Sequence, residues 1–261
     1  MRALKIAATG MDAQQTRVEV ISNNIANMST TAYRERRANF SDLHYQQVQT
    51  PGSISSNTGT LVATGVQLGL GVRTAEVSMQ VGQGAVSQTG GELDVAVEGR
   101  GWIEVELPDG GAAYTRDGGF QKTADGLIVT RDGYALAAGI TIPEDARRVQ
   151  INADGQVFAF FDGQVEGQEI GAIELVTFVN EKGLEALGDN LFRATAASGD
   201  PAPGAPATDG RGTLRQGYLE QSTVDVVSEI TELIEAQRGY EMNSKVVTAA
   251  DQMLGATVQI R

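Results

Sequence analysis

Val226-Val227-Ser228-Glu229-Ile230-Thr231-Glu232-Leu233-Ile234-Glu235-Ala236-Gln237-Arg238-Gly239-Tyr240-Glu241-Met242-Asn243 is the stretch on which the fold turns. Apolar residues recur in it and beyond it, at Val226, Ile230, Leu233, Ala236, Tyr240, Val247, Ala250, Leu254 and Val258, in steps of three, four or seven. That is the period of a helix with one apolar stripe. Ser222-Thr223-Val224-Asp225 ahead of it has capping-box spacing. The predicted helix therefore runs from 223 to about 258, roughly 50 Å at 1.5 Å per residue. Gly239 is a weak point inside it.

The opposite end of the chain reads the same way. Over residues 3–28, Leu4, Met11, Val18 and Ile25 recur every seven, and Ala7, Ile21 and Met28 follow three places later, with Gln14 as the polar break. A long helix with one apolar stripe has to bury that stripe. The two terminal stripes can bury against each other, so the ends are predicted to pair as a coiled coil. Even a pair leaves apolar surface over, which invites further copies of the chain.

Between the helices the text changes. Thr50-Pro51-Gly52-Ser53-Ile54-Ser55-Ser56-Asn57-Thr58-Gly59-Thr60 breaks all periodicity, and residues 61–90 stay polar and Gly-rich with weak alternation. From 91 onward Leu93, Val95 and Val97, then Ile103, Val105 and Leu107, alternate with small or charged residues. Asp-Gly pairs begin at 109, 117, 125, 132, 154, 162 and 209. This dipeptide tolerates the positive φ of tight hairpin turns, so the region reads as antiparallel β, with strands near 127–130, 134–138, 148–151, 156–161 and 172–179. Residues 198–210 hold three prolines and read as a surface linker. The expected fold class is α+β: long terminal helices pairing as a coiled coil, with a Gly-rich, mainly antiparallel β-domain between them. The expected division is a discontinuous helical assembly domain of 1–35 and 215–261, an extended segment of 36–90, and a β-domain of 91–214.

Charge follows the same division. The formal net charge is −13. Residues 1–90 carry 7 basic and 5 acidic side chains, 91–210 carry 8 and 21, and 211–261 carry 5 and 7. The acidic excess therefore sits in the middle, and it argues against a nucleic-acid partner. Near-neutral ends can approach like copies of themselves. The start of the chain has too short an apolar run for a secretory signal, and no stretch reaches transmembrane length, so no membrane insertion is expected.

Chemistry is sparse. With no Cys and His44 as the single histidine, the common zinc sites are excluded. Gly69 and Gly71, and Gly82 and Gly84, form GxG without the third glycine of a dinucleotide fingerprint, and no phosphate loop or nucleophile elbow is present. No segment matches the calcium loop. No enzyme activity, catalytic residue, cofactor or metal is expected. A reading of another class is a secreted β-domain that binds or cleaves polysaccharide through a pair of its many carboxylates.

Longer motifs give the ends a context. Ser22-Asn23-Asn24-Ile25-Ala26-Asn27 followed by Thr31-Ala32-Tyr33-Arg34 resembles the N-terminal signature of bacterial flagellar rod and hook proteins. Gly217-Tyr218-Leu219-Glu220-Gln221-Ser222-Thr223-Val224-Asp225 and Ile234-Glu235-Ala236-Gln237-Arg238-Gly239-Tyr240-Glu241-Met242-Asn243-Ser244-Lys245 are similar to its C-terminal counterpart. Leu93-Asp94-Val95-Ala96-Val97-Glu98-Gly99-Arg100-Gly101-Trp102 and Tyr114-Thr115-Arg116-Asp117-Gly118-Gly119-Phe120 agree with the middle of that family. Length, the 46–73 stretch and Asn190-Leu191-Phe192 look most like its distal rod members. Ala32 stands where the family usually has Gly, Thr223 where Asn is usual, and Trp102 where Phe is usual.

The resemblance implies a subunit that polymerises helically into a hollow shaft, the distal rod, crossing the periplasm in the basal body and transmitting torque from motor to hook. The alternative within the family is another axial component of proximal-rod or hook type. Implied partners are further copies of the chain, proximal rod proteins, the hook protein, the P and L ring proteins, and the flagellar export apparatus, which passes such subunits without a cleaved signal peptide. The expected assembly residues are Leu4, Met11, Val18, Ile21, Asn23, Asn24, Ile25, Asn27, Tyr33, Leu219, Asp225, Ile230, Leu233, Gln237, Tyr240, Asn243, Val247 and Leu254. Segment 46–73 is the expected stiffening contact between subunits, because it is long, polar and without a fold of its own. The terminal helices are expected to order on assembly.

Overall fold

The computed structural model describes residues 2–51, 64–164 and 166–259, with the side chains of Leu254 and 256–259 outside the description. The chain is α+β and divides into two compact units. One comprises residues 1–26, 36–79 and 225–261, and the other residues 27–35 and 80–224. These cuts differ from those suggested by composition, because 36–79 packs with the helices and 27–35 packs with the β-rich unit.

The helical unit is built on α1 (Arg2–Ala26) and α2 (Val226–Gln259). Helix α2 begins later than the capping-box spacing suggests. Asp225 is its N-cap: Oδ1 accepts the Val227 N–H at 3.0 Å and the carbonyl accepts the Glu229 N–H at 2.9 Å. Ser222 instead accepts the Val224 N–H at 3.3 Å, outside the helix.

The segment read as extended carries strands. In the helical unit Arg36–Asp42 pairs antiparallel with Val72–Met79, and Tyr45–Gln49 with Val66–Gly69. The second pair is a ribbon whose residues are almost all exposed. Residues 52–63, within the expected stiffening stretch, fall outside the described residues.

The β-rich unit is antiparallel throughout its described pairings. Its largest sheet runs, in spatial order, Glu185–Gly188, Leu191–Arg193, Ala112–Thr115, Trp102–Glu106, Ala135–Leu136, Ile128–Val129 and Gln121–Lys122. Leu175–Thr177 also pairs with Trp102–Glu106, and on its far side with Ala202–Gly204. Ala146–Ile151, Gln156–Phe161 and Gln168–Ala172 form a three-stranded sheet. Val95–Glu98 pairs with Thr213–Gln216, and Val86–Gln88 with Tyr218–Glu220.

Alternation explains the core. Val95, Val97, Ile103, Ile128, Leu136, Val149, Ile151, Val157, Ile173, Leu175 and Leu214 form one buried cluster. Four of the Asp-Gly pairs close turns in the same way, with the glycine N–H bonding back three residues to Leu107, Thr130, Thr123 and Asn152 at 2.9–3.0 Å and φ near +80° to +90°. Gly118 serves differently: a Cβ there would overlap the Val95 carbonyl. The proline-rich 198–210 stretch is not merely a linker. Ser198 is buried, and Ala202–Gly204 adds an edge strand, a place where Pro203 needs no N–H for the ladder.

Candidate assembly surface

Within the helical unit α1 and α2 run antiparallel. Gly10 lies against Asn243, Gln14 against Gly239, Arg17 against Glu232 at 3.1 Å, and Asn24 against Glu229 at 3.1 Å. The residues of α1 documented in this seam are thus Gly10, Gln14, Arg17 and Asn24, with Ala7 and Ile21 buried in phase with them. Of the expected stripe, Ala7, Ile21 and its polar break Gln14 lie in the seam, and Gly10, Arg17 and Asn24 join them. Gly239, a weak point for helix propensity, serves packing: a Cβ there would come within 3.1 Å of the Gln14 amide carbon.

Asn24 holds three segments of this unit. Its Nδ2 donates to the Arg36 carbonyl at 2.8 Å and to Glu229, while its Oδ1 accepts the Arg36 N–H at 2.9 Å. The side chain thereby imitates a strand neighbour for Arg36, and it is 1% exposed.

The other expected assembly residues divide by exposure. Leu4, Met11, Val18 and Ile25 are half-buried along α1, as are Leu233, Asn243 and Val247 on α2. Asn23, Asp225, Ile230, Gln237 and Tyr240 are exposed. Leu254's side chain lies outside those described. Asn27, Tyr33 and Leu219 belong to the β-rich unit and are half-buried there. Tyr33 accepts the Thr223 N–H at 3.0 Å, and Thr223 Oγ1 accepts the Glu35 N–H at 2.9 Å. Thr223 thus fastens the end of the N-terminal signature, at Tyr33 and Glu35, instead of capping a helix.

Several apolar side chains of α2 are exposed, interspersed with the exposed Glu235, Arg238, Glu241 and Lys245. Val227 is 75% exposed, Met242 69% and Met253 64%, and Ile230, Ile234 and Val246 are also exposed. These residues follow one another at roughly helical spacing, away from Ala236 and Ala250, which are buried. Beside them Gln15, Val18, Gln237, Tyr240 and Glu241 line an open groove of about 390 Å³ between the two helices. The ribbon repeats the theme, with Tyr45, Val48, Val66 and Leu68 all exposed. A two-stranded ribbon is marginal alone.

Sequence reasoning missed a buried charge network in the β-rich unit. The Glu220 carboxylate is fully buried. It accepts from Arg116 Nε at 2.9 Å, from Arg34 Nη2 at 3.2 Å and from the Gly84 N–H at 2.8 Å. Arg116 also donates to the carbonyls of Val97, Gly99 and Gly101 at 2.8–3.1 Å. Burial, together with the Arg116 charge, lowers the Arg34 guanidinium to about 10, against the pull of Glu220 and Glu181. The signal was available: each of the three residues lies inside one of the long motifs. No group of three or more His, Cys, Asp or Glu suited to a metal ion occurs among the described residues. No described helix is long and apolar enough to cross a membrane.

Comparison with known proteins finds three family models along the chain. Residues 4–34 match the flagella basal body rod protein family, 96–159 the flagellar hook protein FlgE/F/G D1 domain, and 215–260 the flagellar basal body rod FlgEFG protein C-terminal family. The chain is 52% identical over 261 residues to the flagellar basal-body rod protein FlgG of Caulobacter vibrioides, covering 100% of both. The chain belongs to the flagellar basal-body rod protein family. The protein of the same description from Agrobacterium fabrum is 50% identical, with 97% of each chain covered, and that from Bacillus subtilis is 36% identical, covering 100% of this chain and 99% of its own. A solved Helicobacter pylori flagellar hook protein FlgE2 is 13% identical; the match covers 72% of this chain and 43% of that one at a TM-score of 0.25, too loose for structural inference. This rod-family member is a structural subunit and not an enzyme, and the polysaccharide-binding alternative is not favoured.

Proposed function

We propose that the chain builds the distal part of the flagellar rod, stacking helically into a hollow shaft that carries torque from motor to hook. The observation that carries this reading is the set of apolar side chains on α2, from Val227 to Met253, that stand exposed in their own unit. Large apolar side chains exposed in this number on one helix are ordinarily covered by a partner, and in a polymer subunit the partner is another copy.

In this reading α1 and α2 pair as a coiled coil and form the inner wall, with Leu4, Met11, Val18, Ile25, Ile230, Tyr240 and Val247 at contacts between copies. The acidic β-rich unit forms the hydrated outer layer, which the P and L rings surround. Proximal rod proteins and the hook protein cap the two ends of the shaft, and subunits reach it through the flagellar export apparatus without a cleaved signal peptide. The ribbon at 45–49 and 66–69, with the intervening stretch, stiffens the shaft by docking on a neighbouring copy.

Purified full-length chain should form filaments that pellet and show tubular images by electron microscopy. A chain that stays monomeric at high concentration would refute the reading. Hydrogen exchange should show residues 1–30 and 223–261 protected in the filament and unprotected in the free chain. Equal protection in both states would remove assembly-coupled ordering of the ends.

A further inference from the structure

Beyond Gly239 the exposed apolar residues of α2 form a stripe of their own. Met242, Val246, Ala249 and Met253 recur at steps of four, three and four, and all are exposed. That spacing places them on one side of the helix. Toward the N-terminus the stripe ends at Glu235, seven residues before Met242, which meets Arg17 at 3.6 Å.

The groove of about 390 Å³ opens on the other flank of the same helix pair. Its walls are Gln15 and Val18 of α1 and Gln237, Tyr240 and Glu241 of α2. At about 100° per residue, Met242 points about 160° away from Tyr240 around α2. Gly239 and Asn243, which lie against Gln14 and Gly10 of α1, fall between the two directions. The seam with α1 thus separates the groove from the stripe, and no copy can fill its own groove with its own stripe. A recess on one flank and protruding side chains on the other suit a head-to-tail contact, which continues from copy to copy instead of closing as a pair. Methionine is well matched to such a recess, because its unbranched side chain adapts to irregular walls.

The two rims are opposite in charge. Glu241 lines the groove itself. On α1 the exposed Asp12 and Glu19 stand three residues before and four after Gln15, hence on its side of the helix, and Glu19 accepts from Gln15 Nε2 at 3.1 Å. The stripe is bordered instead by Arg238 and Lys245, four residues before and three after Met242, both exposed. None of these five charges makes an ion pair among the described residues. An acidic rim around an apolar recess and a basic rim beside an apolar stripe are complementary when they belong to different copies.

We propose that the Met242–Met253 stripe of one copy seats in the Val18–Tyr240 groove of a second copy, with Arg238 and Lys245 set against that copy's Asp12, Glu19 and Glu241. The proposal rests on the reading of the chain as a polymer subunit. The chain has no Cys, so introduced thiols report by themselves. Full-length chains carrying Gln15→Cys, mixed with full-length chains carrying Met242→Cys, should give disulfide-linked dimers when their filaments are oxidised, and neither variant should crosslink alone. Charge reversal gives a second readout. Glu241→Lys and Lys245→Glu should each raise the critical concentration for assembly about fivefold at low salt. An equal mixture of the two variants should assemble nearly as wild type does, because copies that alternate restore an opposite pair at every contact; a pairing within one chain would gain nothing from mixing. Met242→Cys filaments that crosslink by themselves, mixed filaments without the disulfide, or a charge mixture that assembles no better than its components would overturn the seating and leave the subunit reading standing. Absence of wild-type filaments would overturn both.

Discussion

Arg116 Nε donates to Glu220 Oε2 at 2.9 Å across 104 positions of sequence, and the two side chains are 2% and 0% exposed. Arg34 meets the other oxygen of the same carboxylate. One buried anion thus holds two buried cations, and it reaches three places at once: the end of the N-terminal signature at Arg34, the Ala112–Asp117 region, and the strand Tyr218–Glu220. The Ala32 N–H adds a bond to the Glu220 carbonyl at 2.8 Å. The network therefore fixes residues 27–35 to the β-rich unit by both side chain and backbone.

Removing the anion should be severe. Glu220→Gln keeps the shape but leaves two buried guanidinium groups without a counter-charge, which costs on the order of 3–5 kcal/mol. Chemical denaturation should show the loss as a lowered midpoint. Arg116→Lys keeps the charge but cannot reach the carboxylate and three carbonyls together, so it should be destabilised as well.

Ala32 sits at φ +55°, a left-handed conformation that carries roughly 1–2 kcal/mol of strain for a residue with a Cβ. This explains in physical terms why glycine is usual at the position. Ala32→Gly should raise stability by about 0.5–1 kcal/mol, because the relief of strain exceeds the extra entropy of glycine in the unfolded chain. An unchanged or lowered denaturation midpoint would show that the Ala32 methyl, 5% exposed, contributes more by packing than it costs in strain.

Trp102 is 1% exposed and packs edge-on against Phe192 at 4.8 Å, yet its indole Nε1 is buried without an acceptor among the described residues. An unpaired buried donor costs about 1–3 kcal/mol. Trp102→Phe removes that cost along with some packing volume, so stability should stay within about 1 kcal/mol of wild type, whereas Trp102→Ala should lose about 3–5 kcal/mol. Circular dichroism is the suitable probe, since Trp102 is the chain's single tryptophan.

Asp117 supplies the pH dependence. Burial holds its carboxyl above the ordinary range, opposed by the Gly119 N–H at 3.0 Å and by Arg131. A folded-state pKa above the unfolded one penalises the ionised form in the fold. The penalty is present at neutral pH and vanishes as pH falls below the unfolded value. Asp117→Asn retains an oxygen for Gly119, so it should raise the unfolding temperature at pH 7 and lose that advantage as pH falls through the carboxylate range. An advantage that persists at pH 3 would have another cause.

What the sequence made legible follows from what periodicity records. Helix positions came from the spacing of Leu4 to Ile25 and Val226 to Ala250, and the turns came from Asp-Gly. Phase was less legible. Hydrophobic size marked Leu4, Met11, Val18 and Ile25 as the seam, but close approach of two helices favours small residues such as Gly10 and Gly239, so the larger ones stand to the side, half-buried. The ribbon strands at 45–49 and 66–69 escaped notice because the ribbon buries neither face, and without burial nothing imprints alternation. The Arg34–Glu220–Arg116 network was invisible for another reason: sequence names charged residues but gives no distance across 104 or more positions.

The side-standing and outward apolar residues bear on assembly more than on the fold. Ile234 and Met242 are 45% and 69% exposed in a helix whose inner side already meets α1, so a charge at either place disturbs little within the subunit. In a filament the same charge would be desolvated against a neighbour's apolar surface, with no partner to neutralise it. Ile234→Glu and Met242→Glu should therefore leave the unfolding temperature of the free chain within about 2 °C of wild type. Both should abolish filament formation in a pelleting assay, and cells carrying them should build basal bodies with truncated rods. Ile234→Leu should assemble normally. A glutamate variant that polymerises with wild-type yield would show that this side of α2 faces solvent in the rod, and the contacts between copies would then have to come from the groove at Val18 and Tyr240.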